Sequence, residues 1–231
     1  MGTELPGTLL GSGRNADVYD IGGGRVLRRY RDGRDADPVE REAEVMAHAR
    51  AHGVPVPEVY EVSGSDIVME RAMGPTMLDV LGRRPWTVRS QARLLARLHA
   101  TVHQVPALPG LRAAFDDEDL DQQVLLHRDL HPSNVILTST GPVIIDWEGA
   151  ARGPAILDVA LTWAIVGFSD VPENRLGAVA LRGVQSLFTR SFVRAAGPLD
   201  LTWRAAAVRH RLTDPNVLPS ERARLERVPR D

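Results

Sequence analysis

"HRDLHPSNVILTSTGPVIIDWEGA", residues 127–150, carries three oxygen-bearing side chains at spacings that let them converge on one point. Asn134 follows Asp129 by five residues, and Asp146 comes twelve later, at the end of the apolar run "PVIID". Pro132 and Asn134 mark the first part as an irregular loop. Two short predicted strands, "VLL" and "VIL", flank it, and "PVIID" reads as a third. A carboxylate in such a loop accepts a hydroxyl proton or orients that hydroxyl. An amide oxygen and a second carboxylate are hard donors that suit Mg²⁺, which takes phosphate oxygens among its other ligands. The three residues are therefore candidates for holding metal-bound phosphate beside a hydroxyl. A competing reading makes His127, Asp129 and His131 the ligands of a single metal ion. The irregular loop and the lack of a further His cluster argue against it. His127 is expected to brace the loop, and His48, His52, His99, His103 and His210 to lie at surfaces or boundaries of helices.

Upstream, Gly11-Ser12-Gly13-Arg14-Asn15-Ala16 reads G-x-G-x-x-A. A dinucleotide-binding turn opens into a helix, whereas here the strand "DVYDI" and the hairpin signal Gly22-Gly23-Gly24 follow. The turn thus lies between antiparallel strands, a geometry that suits a flap over phosphates; a plain hairpin turn is the alternative. The next strand, "VLRRY" at 26–30, offers an inward cation for phosphate if a carboxylate orients it. Glu42 is the candidate orienter, on a predicted helix with Asp37 as its cap and Pro38 at its first position. Val39, Ala43, Met46 and Ala47 form the apolar face of that helix, and Glu40 and Glu44 are rivals for the orienting role. "EVYEV" and "DIVMER" complete the strand-rich first third. Thr87 is a candidate cap for a helix reaching about His103, and helices are predicted over 157–168, 173–196, 200–212 and 219–227.

Bulk composition excludes several function classes. The 231 residues are 43% hydrophobic and 25% charged, as in ordinary soluble globular proteins. A net charge of −2 gives no reason to expect nucleic acid as a partner. Without cysteine there is no disulfide, thiolate metal site or cysteine nucleophile. No signal peptide is evident, and the longest apolar run, residues 159–168, is half the ~20 a membrane span needs. A cytoplasmic protein without membrane contact is expected. All 28 basic residues are arginine, so any cation on a substrate is a guanidinium or a protonated histidine.

"HRDLHPSN" fits the protein-kinase catalytic-loop pattern H-R-D-L-x-x-x-N. It resembles more closely the H-x-D-x-H-x-x-N of the aminoglycoside phosphotransferase and choline kinase–like families of small-molecule kinases. "IIDWEGAARGPAILDVA" looks like their I-D-W-E-x-A followed by a downstream Asp, here Asp158. "VLRRY", "EREAEVM" and "IVMERAMG" resemble their phosphate-anchor strand, helix glutamate and hinge. The resemblance spans about residues 9–160. It implies an α+β, two-lobed protein-kinase-like fold: an antiparallel-sheet lobe with one helix over residues 1–71, and a larger, mainly helical lobe over 72–231. It also implies a Mg²⁺-dependent kinase moving the γ-phosphoryl of ATP or GTP to a small-molecule hydroxyl. Asp129 would face that hydroxyl, and Asn134 and Asp146 would be the Mg²⁺ ligands. Arg28 would stand in for the anchor lysine, paired with Glu42. Gly11, Ser12 and Gly13 would cover the phosphates, and Met69, Glu70 and Ala72 would line the adenine side. Asp158 would tie the catalytic loop to the following helix.

The chain departs from the family pattern in three ways. Arg28 replaces lysine, Ala16 replaces the last glycine of the flap, and the acceptor region is short. The missing lysine and the trimmed C-terminal lobe motivate an alternative, a nucleotide-binding pseudokinase acting as a scaffold. A protein kinase is disfavoured, because Trp-Glu follows Asp146 and only 11 residues separate Asp146 from Asp158, too few for a long activation loop. The acidic run Asp116–Asp121 would suit a cationic acceptor such as an aminoglycoside, or is a solvated loop. Acceptor and oligomeric state are not specified.

Overall fold

The structure is a computed structural model and describes residues 6–13, 15–31, 36–114, 123–170, 175–215 and 217–229. The acidic run at 116–121 and Arg14 lie outside the described residues. In chain order the elements are β1 (Thr8–Ser12), β2 (Ala16–Gly22), β3 (Arg25–Tyr30), α1 (Ala36–Ala51), β4 (Val59–Ser63), β5 (Asp66–Glu70), α2 (Met77–Arg83), α3 (Val88–Val102), β6 (Val124–Leu126), β7 (Val135–Thr138), β8 (Gly141–Ile144), β9 (Ala151–Gly153), α4 (Ala155–Phe168), α5 (Arg175–Ala196), α6 (Leu201–Thr213) and α7 (Pro219–Leu225). The class is α+β. The chain divides into two compact units, Met1–Gly74 with Ile136–Ala150, and Pro75–Val135 with Ala151–Asp231.

The first unit is built on an antiparallel sheet of order β1-β2-β3-β5-β4. Gly22, Gly23 and Gly24 all have positive φ, the conformation that closes a tight hairpin and that residues with a Cβ resist. The register puts Arg28 of β3 opposite Val18 of β2 and Ile67 of β5. Helix α1 packs on β4 and β5. Its inward face comprises Val39, Ala43, Val45, Met46 and Ala49, while Ala47, expected there, is exposed. Asp37, the expected cap, falls inside α1, and its side chain lies outside the described residues. Residues 136–150 join this unit rather than the helical one: Ile144 N–H donates to Pro55 O at 2.8 Å, and Ile144 and Trp147 are fully buried. The unit is thus assembled from two separated stretches of chain, where one continuous segment ending at residue 71 was expected.

The second unit is mainly helical. Helix α3 buries Val88, Ala92, Leu95, Leu98 and Val102 at helical spacing, and it packs against α5. Thr87 precedes α3 without capping it; its hydroxyl donates to Arg84 O at 2.7 Å instead. A short helix, α2, precedes it behind a reciprocal capping box of Thr76 and Asp79. The three-residue strands β6 and β9 pair antiparallel and frame the segment that carries Asp129. Helices α4, α5, α6 and α7 follow where the apolar periodicity predicts them. Among the described residues no helix is long and apolar enough to cross a membrane.

Candidate active site

In the first unit the sheet, α1 and the segment after β8 meet at Arg28. Its guanidinium contacts Asp146 Oδ1 at 2.7 Å, Glu42 Oε1 at 3.3 Å and Glu148 Oε2 at 3.5 Å. Burial would lower the Arg28 pKa, but Glu42, Asp146 and Glu148 more than offset it, so the charge is held. Glu42 is 2% exposed. Burial drives its carboxyl up to about 7, against the pull of Arg28 and with the push of Asp146 and Glu148. The Tyr30 hydroxyl also donates to Glu42. The expected rivals are elsewhere: Glu40 is exposed, and Glu44 pairs with Arg41 at 3.4 Å.

Asp146 was expected at the end of a strand. The ladder instead stops at Ile144, and Asp146 sits two residues beyond with φ of 67°. A residue in the left-handed region cannot continue a ladder, and among non-glycine residues Asp and Asn tolerate that conformation best. Here it projects a partly exposed carboxylate onto Arg28. The next residue, Trp147, is fully buried, and its indole N–H donates to Ile144 O at 3.2 Å. Glu148 was not singled out from the sequence. It accepts from Asn15 Nδ2 at 2.8 Å and so ties the glycine-rich turn to the Arg28 cluster. The alternation Asp146-x-Glu148 after a buried strand was the available signal.

Gly11 and Ser12 end β1, and Gly13 opens the turn, its N–H donating to Ala16 O at 2.8 Å. A Cβ at Gly11 would meet nothing within 4 Å, so its own packing does not demand glycine. The Ser12 hydroxyl donates to Asp17 at 2.6 Å and accepts from Arg31 at 2.6 Å. Of the three residues expected on the adenine side, Met69 is buried in β5. Glu70 gives its N–H to Glu58 O at 2.8 Å, and Ala72 lies on the irregular stretch after β5.

In the second unit, Asp129 follows β6 and the left-handed Arg128, whose φ is 69°. Asn134 Nδ2 donates to Asp129 O at 2.9 Å and to Asp129 Oδ2 at 3.2 Å. His131 Nε2 lies 3.5 Å from Asp129 Oδ1. Burial would raise the Asp129 pKa, but His131, His127 and Arg211 more than offset it, so the carboxylate is ionised at neutral pH. His127 is fully buried, and its Nδ1 accepts from Asp129 N–H at 3.3 Å, bracing the loop. Asp158, also fully buried, accepts from the N–H groups of His127 at 3.0 Å and Arg128 at 2.7 Å. Contrary to expectation, His99 is a core residue, 1% exposed.

Two observations test whether these residues fit a magnesium–nucleotide. Both hydrogen bonds from Asn134 leave through its nitrogen, so its amide oxygen remains to accept or to ligate. Arg28 Nε is buried with no hydrogen-bond partner, which leaves one guanidinium donor unused. Hard oxygen donors plus a spare guanidinium N–H match the ligand chemistry of phosphate and Mg²⁺. Each unit, taken by itself, offers donors that fit such a group.

A family model described as the phosphotransferase enzyme family matches residues 7–114 and 103–196. The chain is 30% identical over 157 residues to a probable bifunctional tRNA threonylcarbamoyladenosine biosynthesis protein of Methanoculleus marisnigri, a match covering 63% of this chain and 25% of that protein. It is 47% identical over 38 residues to a thiamine kinase of Salmonella paratyphi B, covering 16% of this chain and 14% of the relative. The matched stretches thus span a quarter or less of these relatives. The structure of a thermostable mutant of aminoglycoside phosphotransferase APH(4)-Ia, in ternary complex with AMP-PNP and hygromycin B, is similar with a TM-score of 0.63 at 17% identity, over 94% of this chain and 90% of that one. This likeness establishes an α+β, protein-kinase-like fold.

Proposed function

This chain belongs to the phosphotransferase enzyme family, and from that premise we propose that it transfers the γ-phosphoryl group of ATP or GTP to a hydroxyl of a small molecule. The observation that carries the reading is the ionised Arg28, anchored by buried Glu42 and joined to Asp146. That arrangement keeps a phosphate-gripping cation in place without lysine. Asn134 and Asp146 are assigned as the magnesium ligands on their donor chemistry. Met69, Glu70 and Ala72 are assigned to the base, and Gly11, Ser12 and Gly13 to the phosphates. Bound there, magnesium and nucleotide supply the transferable phosphoryl group and neutralise charge on its oxygens.

The chain's own residues then do three things. Arg28 offers N–H donors to phosphate oxygens, and Glu42 fixes the direction in which they point. Asp129 accepts a hydrogen bond from the acceptor hydroxyl and aligns its oxygen for attack, taking the proton late. Asn134 and His131 hold the Asp129 carboxylate in that orientation. The need for a nucleoside triphosphate pool suits a cytoplasmic setting.

The test is nucleotide consumption by the purified chain, with and without Mg²⁺, across a panel of hydroxylated metabolites and antibiotics. Mg²⁺-dependent consumption with one acceptor class, abolished by Asp129→Ala, is the expected result. Nucleotide binding without turnover on any acceptor would favour the scaffold reading.

A further inference from the structure

His99 lies on α3 and His103, four residues on, is its C-cap with helical backbone, so their rings share one face. Asp158, in the first turn of α4, faces them. One ligand atom from each of the three lies within 4.8 Å of the others. His103 Nε2 is 3.1 Å from Asp158 Oδ2, and His99 Nδ1 is 3.7 Å from the same oxygen. Tetrahedral zinc with bonds of about 2.0 Å separates its ligand atoms by roughly 3.3 Å, so small side-chain shifts would suffice.

The protonation of His99 follows from its neighbours. Thr162 Oγ1 donates to Leu130 O at 2.8 Å, which uses its only proton. His99 Nε2 lies 3.1 Å from that hydroxyl oxygen and 3.3 Å from Leu130 O. Facing two acceptors, Nε2 carries the hydrogen, and Nδ1 carries a lone pair. Nδ1 is buried and has no hydrogen-bond partner. It therefore turns a lone pair toward a carboxylate in the core, an arrangement that costs free energy unless a cation lies between them. A metal-binding histidine ordinarily gives its other N–H to a carbonyl or carboxylate, as His99 gives Nε2–H toward Leu130 O.

We propose that His99, His103 and Asp158 form a metal site, independent of the phosphoryl-transfer residues, that takes a zinc-class divalent cation. Two imidazoles and one carboxylate select zinc over magnesium, which prefers oxygen alone. His103 ends α3 and is partly exposed, which gives the ion a way in. Binding moves the His103 hydrogen from Nε2 to Nδ1 and frees Nε2 as a ligand. Because Asp158 also accepts from the backbone of His127 and Arg128, the ion ties α3 to the segment that positions Asp129.

The test is titration of the chelator-stripped full chain with ZnCl₂ by calorimetry, in excess Mg²⁺ so that oxygen-only sites stay filled. A parallel CoCl₂ titration reads coordination from the visible spectrum. The expected result is one zinc per chain, with a tetrahedral Co²⁺ spectrum. His103→Gln, at a helix end where folding tolerates it, removes both signals, and its melting in metal-free buffer confirms that it is folded. Thr162→Val lowers affinity by about 10–100-fold. His52→Gln, which breaks the half-exposed His48–His52 ring pair, leaves binding intact. No zinc uptake by the parent chain, or uptake that survives His103→Gln or is abolished by His52→Gln, overturns the proposal.

Discussion

Arg28 holds three carboxylates on one guanidinium, and Glu42, the one most deeply buried, is raised chiefly by that burial, with Asp146 and Glu148 adding to it. The folded-state value of Glu42, about 7, lies above its ordinary 4.5. Between those values the folded chain keeps a proton that the unfolded chain has lost. The resulting stability is complete below pH 4.5 and is lost as the pH rises through 7. Glu42→Gln removes this slope. Urea midpoints of the two proteins, compared across that window, should show the parent losing up to about 3 kcal/mol relative to the variant; parallel curves would contradict it. His99 runs the opposite way. Depressed from 6.5 to about 3, it contributes stability that is full above pH 6.5 and lost as the pH falls toward 3. If Asp129 takes the hydroxyl proton as proposed, Asp129→Asn, which preserves shape, should lower steady-state turnover about 10²–10⁴-fold with little change in nucleotide affinity. Most of these residues were legible because their spacing is unusual. Glu148 and the burial of His99 were not, because each depends on partners distant in sequence, Asn15 and Asp158.

At the level of elements, the strands around the glycine triplet and the later helices were readable from periodicity and turn chemistry. Helix α2 was not, since its seven residues are too few to show a repeat. Its signal was local: Thr76 and Asp79 cap each other's backbone, and Met77 and Leu81 are buried one turn apart. Thr76→Ala should therefore cost about 1 kcal/mol in denaturant unfolding. Thr87→Ala, at a position with no capping bond, should cost less; the reverse order would refute the assignment. The end of β8 was misjudged because hydrophobicity continues through Ile145 while the backbone turns left-handed at Asp146. That turn also guides mutagenesis. Asp146→Asn keeps a residue that tolerates positive φ, whereas Asp146→Ala mixes loss of charge with backbone strain.

At the scale of the whole molecule, ligand binding should appear as stability. A magnesium–nucleotide at ~100 times its dissociation constant adds about 2.7 kcal/mol; a melting temperature unmoved by both Mg·ATP and Mg·GTP would remove the cofactor assignment. The α+β class and the family were legible from motifs spread over much of the chain. The partition into units was less so. Hydrophobic pattern alone does not reveal that residues 136–150 pack with the first unit, a grouping made by contacts such as Ile144 with Pro55 and Asp146 with Arg28. This has a consequence during synthesis. The carboxylates of Asp146 and Glu148 are translated 118 and 120 residues after Arg28. At ~5–20 residues per second that interval is roughly 6–24 s. Until it has passed, the nascent sheet has all five of its strands but not the segment that packs on it, and a ribosome stalled before residue 136 would display a guanidinium still waiting for two of its counter-charges.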